Sequence, residues 1–280
     1  MVVVVVAGVV FLLETKHVPL IPQPTSCIAV AGKQDVPLSV SQAGIASTIA
    51  GVAAKRELPK KAVTIAYAAA LQESKLSNLN YGDRDSVGIF QQRPSQGWGT
   101  ARQIENPVYA TDRFFSALAN VPGYLRMPVY KAAQAVQRSA DGYAYGQYAL
   151  EAADLATAFS GAQPHAFSCY YADSVGKPRL AAATRALGSD FGDLRSGALS
   201  DPAMSVRVKR SSEGWAVAAW LISHASSYGI NTVRYDGYVW VARHGSGEWT
   251  RQAKPAARAT GATPSSAART QAAPTTVVFG

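Results

Sequence analysis

One glutamate interrupts a helix face that is otherwise small and apolar. The segment from Lys61 to Leu76 has helical spacing, and Glu73 shares a face there with Ala66, Ala69 and Ala70. An ionised carboxylate is costly to bury among apolar side chains, so a carboxyl group in such a setting holds its proton more readily than in water. A group in that state can protonate a leaving oxygen, which is the task of a general acid. Glu73 is therefore the first candidate for catalytic chemistry.

The residues around Glu73 leave a second interpretation open, in which it is a surface residue paired with Lys75 or Arg84. The segment after the helix bears on this choice. Residues 78–99 are rich in glycine and proline and predict a long loop between helices. Long structured loops in compact domains often carry function. We therefore expect this loop to form part of a site with Glu73.

Two short motifs in a fixed order connect the helix to the loop. Gln72-Glu73-Ser74 is followed, about 15 residues after Glu73, by Gly88-Ile89-Phe90-Gln91. Together with the string from Tyr81 to Gly99, these motifs resemble the lysozyme-like superfamily of lytic transglycosylases, as in exported cell-wall proteins of actinobacteria. The resemblance covers about residues 40–160. It implies a mainly helical lysozyme-like domain that acts on peptidoglycan glycan strands, with Glu73 as the catalytic acid.

The resemblance also implies substrate-binding positions. Ser74 would orient the carboxyl group or the N-acetyl group of the sugar, and Gly88 and Gln91 would line the glycan groove. Glycine lets backbone approach a sugar closely, and an amide side chain can bond a hydroxyl or acetamido group. Loop aromatic residues would stack on sugar faces. The substrate-binding candidates are Ser74, Tyr81, Asp85, Gly88, Gln91, Trp98 and Gln137.

Two of these implications have open alternatives. Members of the family often carry Ala-Tyr-Asn where this chain has Ala135-Val136-Gln137, so Val136 replaces the usual tyrosine. Phe90 is explained equally well as a core aromatic residue. The family pattern therefore leaves one side of the site without its expected hydroxyl group.

A second carboxylate would decide the reaction. An inverting glycosidase needs a base about 6.5–9.5 Å from the acid, and a retaining one needs a nucleophile at about 5–5.5 Å. Asp83, Asp85 and Asp112 are the acidic residues near the loop, and the first two also fit a turn. If none faces Glu73, the resemblance implies a lytic transglycosylase, in which the substrate's N-acetyl group assists and Glu73 acts as acid and then as base.

The residue patterns of metal-dependent, phosphate-binding and serine-nucleophile sites are absent from the sequence. The four histidines show no metal-ligand spacing, and neither a phosphate-binding glycine motif nor a Gly-x-Ser-x-Gly motif occurs. We expect neither a metal nor another cofactor. Cys27 and Cys169 are too few for a disulfide framework or a cysteine zinc site. In an oxidising compartment they would pair and tie the start of the first domain to its end, the alternative being two unpaired buried thiols.

The start of the chain favours export. Val2–Leu13 is a run of 12 apolar residues, shorter than the roughly 20 of a bilayer span and closer to a signal-peptide core. No basic residues precede it, so the start is truncated or the run is a shortened anchor; a buried first strand is the alternative. The proline-containing stretch His17–Ser26 predicts an extended tether. We expect an extracytoplasmic protein, either secreted or anchored by this segment.

Composition and turn signals divide the rest of the chain. We expect an anchor and tether over 1–26, a mainly α lysozyme-like domain over 27–175 and a linker over 176–202. A small α+β module of βαββ order over 203–252 and a disordered tail over 253–280 would follow. Helices are predicted at Ser39–Ala54, Lys60–Leu76, Pro107–Leu118 and Val129–Gln137, and a hairpin turn at Asp236-Gly237.

The charge distribution bears on partners. The net charge is +9, and the chain from Arg207 onward holds nine basic and three acidic residues. This favours retention on an anionic cell envelope, while the low charged fraction argues against a nucleic-acid partner. We expect a monomeric peptidoglycan lytic transglycosylase or muramidase. The alternatives are a catalytically inactive wall-binding protein and a chain whose terminal module is the functional part, with Trp215, Trp220, Trp240 and Trp249 as its binding residues.

Overall fold

The computed structural model describes residues 24–139, 143–199, 203–245, 247–252 and 275–280. The hydrophobic run Val2–Leu13, most of the tether and residues 253–274 of the expected tail lie outside these ranges. None of the helices in the described part of the chain combines the length and the apolar character that a bilayer span requires.

The elements alternate irregularly along the chain. The helices are α1 (Val40–Lys55), α2 (Lys60–Ser74), α3 (Ala101–Ile104), α4 (Pro107–Ala119), α5 (Val129–Gln137), α6 (Ala149–Phe159), α7 (Leu180–Phe191), α8 (Ser211–Ser223) and α9 (Ala225–Tyr228), with a 3₁₀ helix at Ala144–Tyr148. The strands are β1 (Ser26–Val30), β2 (Asp35–Leu38), β3 (Phe167–Tyr170), β4 (Arg195–Ala198), β5 (Met204–Arg207), β6 (Thr232–Tyr235), β7 (Tyr238–Val241), β8 (Thr250–Arg251) and β9 (Thr276–Phe279).

Local sequence signals set the ends of the helices around Glu73. Ser39 and Gln42 form a reciprocal capping box at the start of α1. Asn106 caps α4, whose first residue is Pro107. The four helices predicted in this region are confirmed, with ends that differ by at most two residues.

A three-stranded antiparallel sheet with strand order β2-β1-β3 packs against α1, α6 and α8. Cys27 of β1 lies opposite Cys169 of β3, and the two side chains form a disulfide bond. The pairing that the sequence favours is therefore present, and it joins residues 142 positions apart. A disulfide of this kind is typical of an oxidising, extracytoplasmic compartment.

A second antiparallel sheet has six strands in the order β4-β5-β9-β6-β7-β8. The predicted hairpin is confirmed: Asp236 and Gly237, both with positive φ, connect β6 to β7. The expectation of a disordered tail is wrong for its last residues. Thr276–Phe279 forms β9, which pairs with β5 on one side and with β6 on the other.

The expected fold class, a mainly α lysozyme-like domain followed by a small βαββ module, is wrong. The described residues form a mixed α/β fold with two antiparallel sheets. The range 176–202, expected to be a linker, contains α7 and β4. Helices α7 and α8 both pack on α1, and one hydrophobic core extends from Cys27 to Phe279. The two expected domains do not form separately because α1 is buried on most of its surface, so elements from both halves of the chain pack against it.

Candidate functional site

Glu73 lies in the last turn of α2 and is half-buried. The helix ends directly after it, because Lys75 and Leu76 both adopt the left-handed conformation. The hydroxyl of Tyr145 donates a hydrogen bond of 2.6 Å to Oε1 of Glu73. Tyr145 is itself fully buried, so its packing fixes the position of the hydroxyl group. The carboxyl group is therefore held in place on a residue that stays partly exposed.

The hydroxyl group that donates to Glu73 belongs to Tyr145, a residue that was not predicted from the sequence. The family pattern has its tyrosine where this chain has Val136, a buried apolar residue of α5. The tyrosine instead comes from the 3₁₀ helix that contains Ala144-Tyr145-Gly146. Ala144-Tyr145 is the same Ala-Tyr pair with which the family segment begins. This pair could have identified Tyr145 from the sequence.

The two expected ion-pair partners of Glu73 are engaged elsewhere. The ammonium group of Lys75 contacts the hydroxyl of Tyr148 and lies 4.2 Å from the centre of its ring. The guanidinium group of Arg84 lies 3.9 Å from the carboxylate of Asp83, at the surface. The geometry therefore favours the phenol–carboxyl pair over the surface salt bridge.

Ser74 connects the end of α2 to the loop. Its buried hydroxyl lies 2.8 Å from the carbonyl oxygen of Ile89 and 3.1 Å from that of Ala70, and it accepts from the amide of Ser77. A substrate cannot use a hydroxyl that is enclosed in this way. Ser74 therefore holds the loop against the helix rather than binding sugar.

Gly88 and Gln91 shape the loop. Gly88 has a φ of +80°, and a Cβ there would lie 2.7 Å from the carbonyl oxygen of Ile104, so a larger residue does not fit. The amide of Gln91 donates to the carbonyl oxygens of Tyr81 and Gly88, at 3.2 and 3.1 Å. Both residues stabilise the loop conformation, which is a different role from the sugar contacts that the resemblance implies.

The aromatic candidates divide into buried and exposed groups. Phe90 is fully buried and stacks on Phe114 at 4.4 Å, so it is a core residue. Tyr81, a predicted substrate-binding residue, is 68% exposed. Tyr143, which was not predicted, is 77% exposed and stacks on Tyr130. Tyr81 therefore presents its ring at the surface.

Each acidic residue considered as a second catalytic group has other partners. Asp85 accepts from Nε of Arg93 at 2.8 Å and from the amide and hydroxyl of Ser95. These contacts, that of Arg93 first, hold the pKa of Asp85 well below its usual range. Asp112 pairs with Arg56 at 2.7 Å. Asp85 therefore closes the loop on itself and does not serve as a base.

A polar cluster that the sequence analysis also missed lies beside the end of α2. The amide of Gln147 donates to the side-chain oxygen of Gln72 at 3.1 Å, next to the contact between Lys75 and Tyr148. Glu151 of α6 is half-buried, and burial raises its pKa while the charge of Lys75 offsets part of that increase. The cluster adds a carboxyl group to the region of Glu73.

A cleft of about 390 Å³ lies between α4, α5 and the end of the loop. Two predicted substrate-binding residues, Trp98 and Gln137, line it together with Arg113 and Arg138. Gln137 also donates to the carbonyl oxygen of Phe90 at 2.8 Å, so the cleft wall is bonded to the loop. Trp98 and Gln137 therefore line the same cleft, and the hydrogen bond from Gln137 connects α5 to the loop that Ser74 holds against α2.

Two of the histidines in the described ranges, His165 and His224, pack against aromatic side chains, whereas His244 is exposed. His224 is stacked on Trp220 at 4.1 Å, and burial lowers its pKa to about 4. His165 packs among Trp215, Tyr238 and Trp249. Within the described residues, no group of three or more histidine, cysteine or acidic side chains is arranged to hold a metal ion.

No family model matches this chain, and a search of curated proteins finds no significant match. The function is therefore argued from the site itself and from the motifs that surround it.

Proposed function

We propose that this protein cleaves the glycan strand of peptidoglycan, with Glu73 as general acid and then general base. The observation that carries the proposal is the hydrogen bond from the buried Tyr145 to a half-buried Glu73 at a helix end. The order of motifs from Gln72 to Gln91, which resembles that of lytic transglycosylases, supports the choice of substrate.

The contact from Tyr145 distinguishes the two carboxyl oxygens of Glu73. Oε1 accepts from the phenol, so Oε2 is the oxygen that can carry a transferable proton. The same phenol stabilises the carboxylate after the proton has left, because hydrogen bonds to an ionised acceptor are the stronger ones. One buried side chain thus serves both protonation states.

The reaction that fits this arrangement needs one carboxyl group. Glu73 gives its proton to the glycosidic oxygen as the bond from C1 to that oxygen breaks, and the substrate's acetamido oxygen bonds to C1. The Glu73 carboxylate then takes the proton of the C6 hydroxyl, whose oxygen displaces the acetamido oxygen at C1. The products are a shortened strand and a 1,6-anhydro sugar. Proton transfer of this kind contributes roughly 10²- to 10⁴-fold to a rate.

The surroundings of the other acids support transglycosylation over hydrolysis. Asp85 and Asp112 are held by Arg93 and Arg56, and Asp83 is exposed beside Arg84. Glu151 is a further carboxyl group near the end of α2, and the charge of Lys75 acts on it. A hydrolase would need one of these groups to activate water across from Glu73.

The site of action follows from the chemistry. Peptidoglycan lies outside the cytoplasmic membrane, and the Cys27–Cys169 disulfide is consistent with that compartment. Anchoring through Val2–Leu13 and retention on the anionic envelope through the basic segment from Arg207 onward are the further parts of this proposal. Neither requires an oligomer.

A matched pair of glutamate substitutions tests the proposal. Purified peptidoglycan is incubated with the wild-type protein, with Glu73→Gln and with Glu57→Gln, and the released muropeptides are quantified. Glu57 is exposed and precedes α2, at the opposite end from Glu73. We expect Glu73→Gln to lower release by roughly 10²- to 10⁴-fold and Glu57→Gln to leave it unchanged. Equal release by all three proteins, or binding without release by the wild type, would overturn the proposal.

A further inference from the structure

We propose that the cleft beside Trp98 binds a carboxylate group of the peptidoglycan substrate through Arg113 and Arg138. The inference rests on the proposed function for the identity of the substrate. The cleft itself is defined independently of Glu73, which is not among the residues that line it.

The charge of the cleft is one-sided. Its lining includes Arg113 and Arg138 and no acidic residue. Asp112, the chain neighbour of Arg113, is paired with Arg56 at 2.7 Å and so does not neutralise Arg113. The cleft therefore offers two positive charges to a ligand. A neutral glycan would not need them.

The geometry suits a carboxylate with an attached organic group. Guanidinium groups bind carboxylates through paired N–H donors, and Asn120 adds a side-chain amide on the same lining. The ring of Trp98 supplies an apolar wall for the rest of the ligand. The volume of about 390 Å³ lies within the range of small-molecule sites.

One contact and one chain connection relate the arginines to the loop. Nη2 of Arg113 lies 3.3 Å from the carbonyl oxygen of Gly97, beside Trp98. Arg138 follows α5 in the left-handed conformation, directly after Gln137. Both arginines are therefore attached to elements that also shape the loop.

A hydrogen-bonded path leads from the cleft to the acid. Gln137 of the cleft wall donates to the carbonyl oxygen of Phe90, and Ile89 accepts from the hydroxyl of Ser74, the neighbour of Glu73. A carboxylate bound between the arginines would fix the position of the strand relative to Glu73. The cleft is thus a positioning site for the proposed reaction.

Peptidoglycan offers two sources of this group. One is the lactyl carboxylate of a muramic acid that has lost its peptide, and the other is a carboxylate of an attached stem peptide. Binding is measured on the Glu73→Gln background, where turnover does not interfere. The ligands are a peptide-free glycan fragment, a peptide-bearing fragment, and both fragments with their carboxylates converted to amides.

We expect at least one carboxylate ligand to bind about fivefold more tightly than its amide, which corresponds to about 1 kcal/mol, the upper end for an accessible charge pair. Adding Arg113→Gln with Arg138→Gln should remove that difference, whereas adding Arg102→Gln, an exposed arginine of α3 outside the cleft, should preserve it. The fragment that shows the difference identifies the source.

Equal affinity for carboxylates and amides, or a difference that survives removal of both arginines, would overturn the inference. The outcome is separable from that of the proposed function. If the wild-type protein cleaves nothing but the charge preference is present, the cleft stands as a carboxylate-binding site and the proposed catalysis fails. If cleavage occurs without the preference, the catalysis stands and the cleft assignment fails.

Discussion

Glu73 and Asp190 are both carboxyl groups held by hydrogen-bond donors of aromatic residues, but they lie in contrasting regions. Asp190 lies where α7 and α8 pack on α1, is 5% exposed, and accepts from Trp220 and Thr48 at 2.7 and 2.8 Å. Burial raises its pKa to about 6, against the lowering effect of those bonds. Glu73 lies at a helix end and is half-buried beside Tyr145.

A hydrogen-bonded carboxyl group is therefore not by itself a catalytic one. Through these two hydrogen bonds, Asp190 connects α7 to α1 and α8. It is too deeply buried to contact a substrate. Asp85, in the loop, is bound by an arginine and a serine and stays ionised. Of the three, Glu73 combines a fixed position with access, which is what a proton donor to a substrate needs.

The disulfide should have the largest effect on stability, and it separates the two regions. The segment that it closes, from Cys27 to Cys169, contains Glu73 and excludes Asp190. Replacing both cysteines with alanine should lower the free energy of unfolding by about 5 kcal/mol in the chain-entropy estimate. Urea unfolding measures this, and kcat below the unfolding transition should stay unchanged. An unfolding midpoint equal to that of the wild type would show that the closed segment is held by packing alone.

Asp190→Asn should change the pH dependence of stability but not activity. The folded-state pKa of Asp190 is about 6 and its ordinary value is 3.8, so its contribution is fully present below about pH 4 and is lost as pH rises through 6. The stability of the wild type relative to Asp190→Asn should therefore fall by roughly 3 kcal/mol between pH 3.5 and pH 7. His224, whose pKa is lowered to about 4, is present in both proteins and cancels.

Unfolding measured at several pH values tests this, with Asp193→Asn, an exposed neighbour, as the control. A difference between wild type and Asp190→Asn that does not vary with pH would contradict the buried, protonated state. Loss of muropeptide release by Asp190→Asn would contradict the separation of the two regions.

Tyr145→Phe should lower kcat by roughly tenfold, because one hydrogen bond to a reacting carboxylate contributes about 1.4 kcal/mol. Tyr67→Phe is the control, since Tyr67 is equally buried on the same helix as Glu73 and donates instead to the carbonyl oxygen of Ala46 at 2.7 Å. Both variants should lose similar stability, and kcat should fall in Tyr145→Phe alone. Equal kcat values for the two variants would mean that the phenol only packs.

Asp85→Asn should have the smallest effect. Its partners Arg93 and Ser95 lie at the surface, where ion pairs contribute little. We expect a change of about twofold at most in kcat/KM on peptidoglycan. A loss as large as that of Glu73→Gln would place a second carboxylate in the reaction and favour hydrolysis.

The sequence was sufficient where structure depends on local signals. The helices around Glu73 follow from periodicity, caps and prolines, and the hairpin follows from Asp236-Gly237. The rest depends on distant pairing: β9 joins residues 276–279 to strands that begin 40 or more positions earlier. A short apolar strand after a low-complexity stretch carries no local signal of its partners.

The site shows the same division. Glu73 and its loop were predicted as a site from motif order, whereas Tyr145 lies 72 positions from Glu73 and reaches it only through the fold. Ser74, Gly88 and Gln91 were found for the wrong reason, since their contacts lie within the loop and helix end. Arg113 and Arg138 could not be singled out, because exposed arginines on helices have no distinguishing pattern.

Mass spectrometry of the products from purified peptidoglycan is the most direct test of whether Glu73 alone acts as the acid and then the base. With the wild-type protein we predict fragments that end in a 1,6-anhydro sugar, and with Glu73→Gln we predict none above background. Products that end in a reducing sugar would contradict the single-carboxyl reaction. Anhydro products formed equally by Glu73→Gln would contradict the role of Glu73 itself.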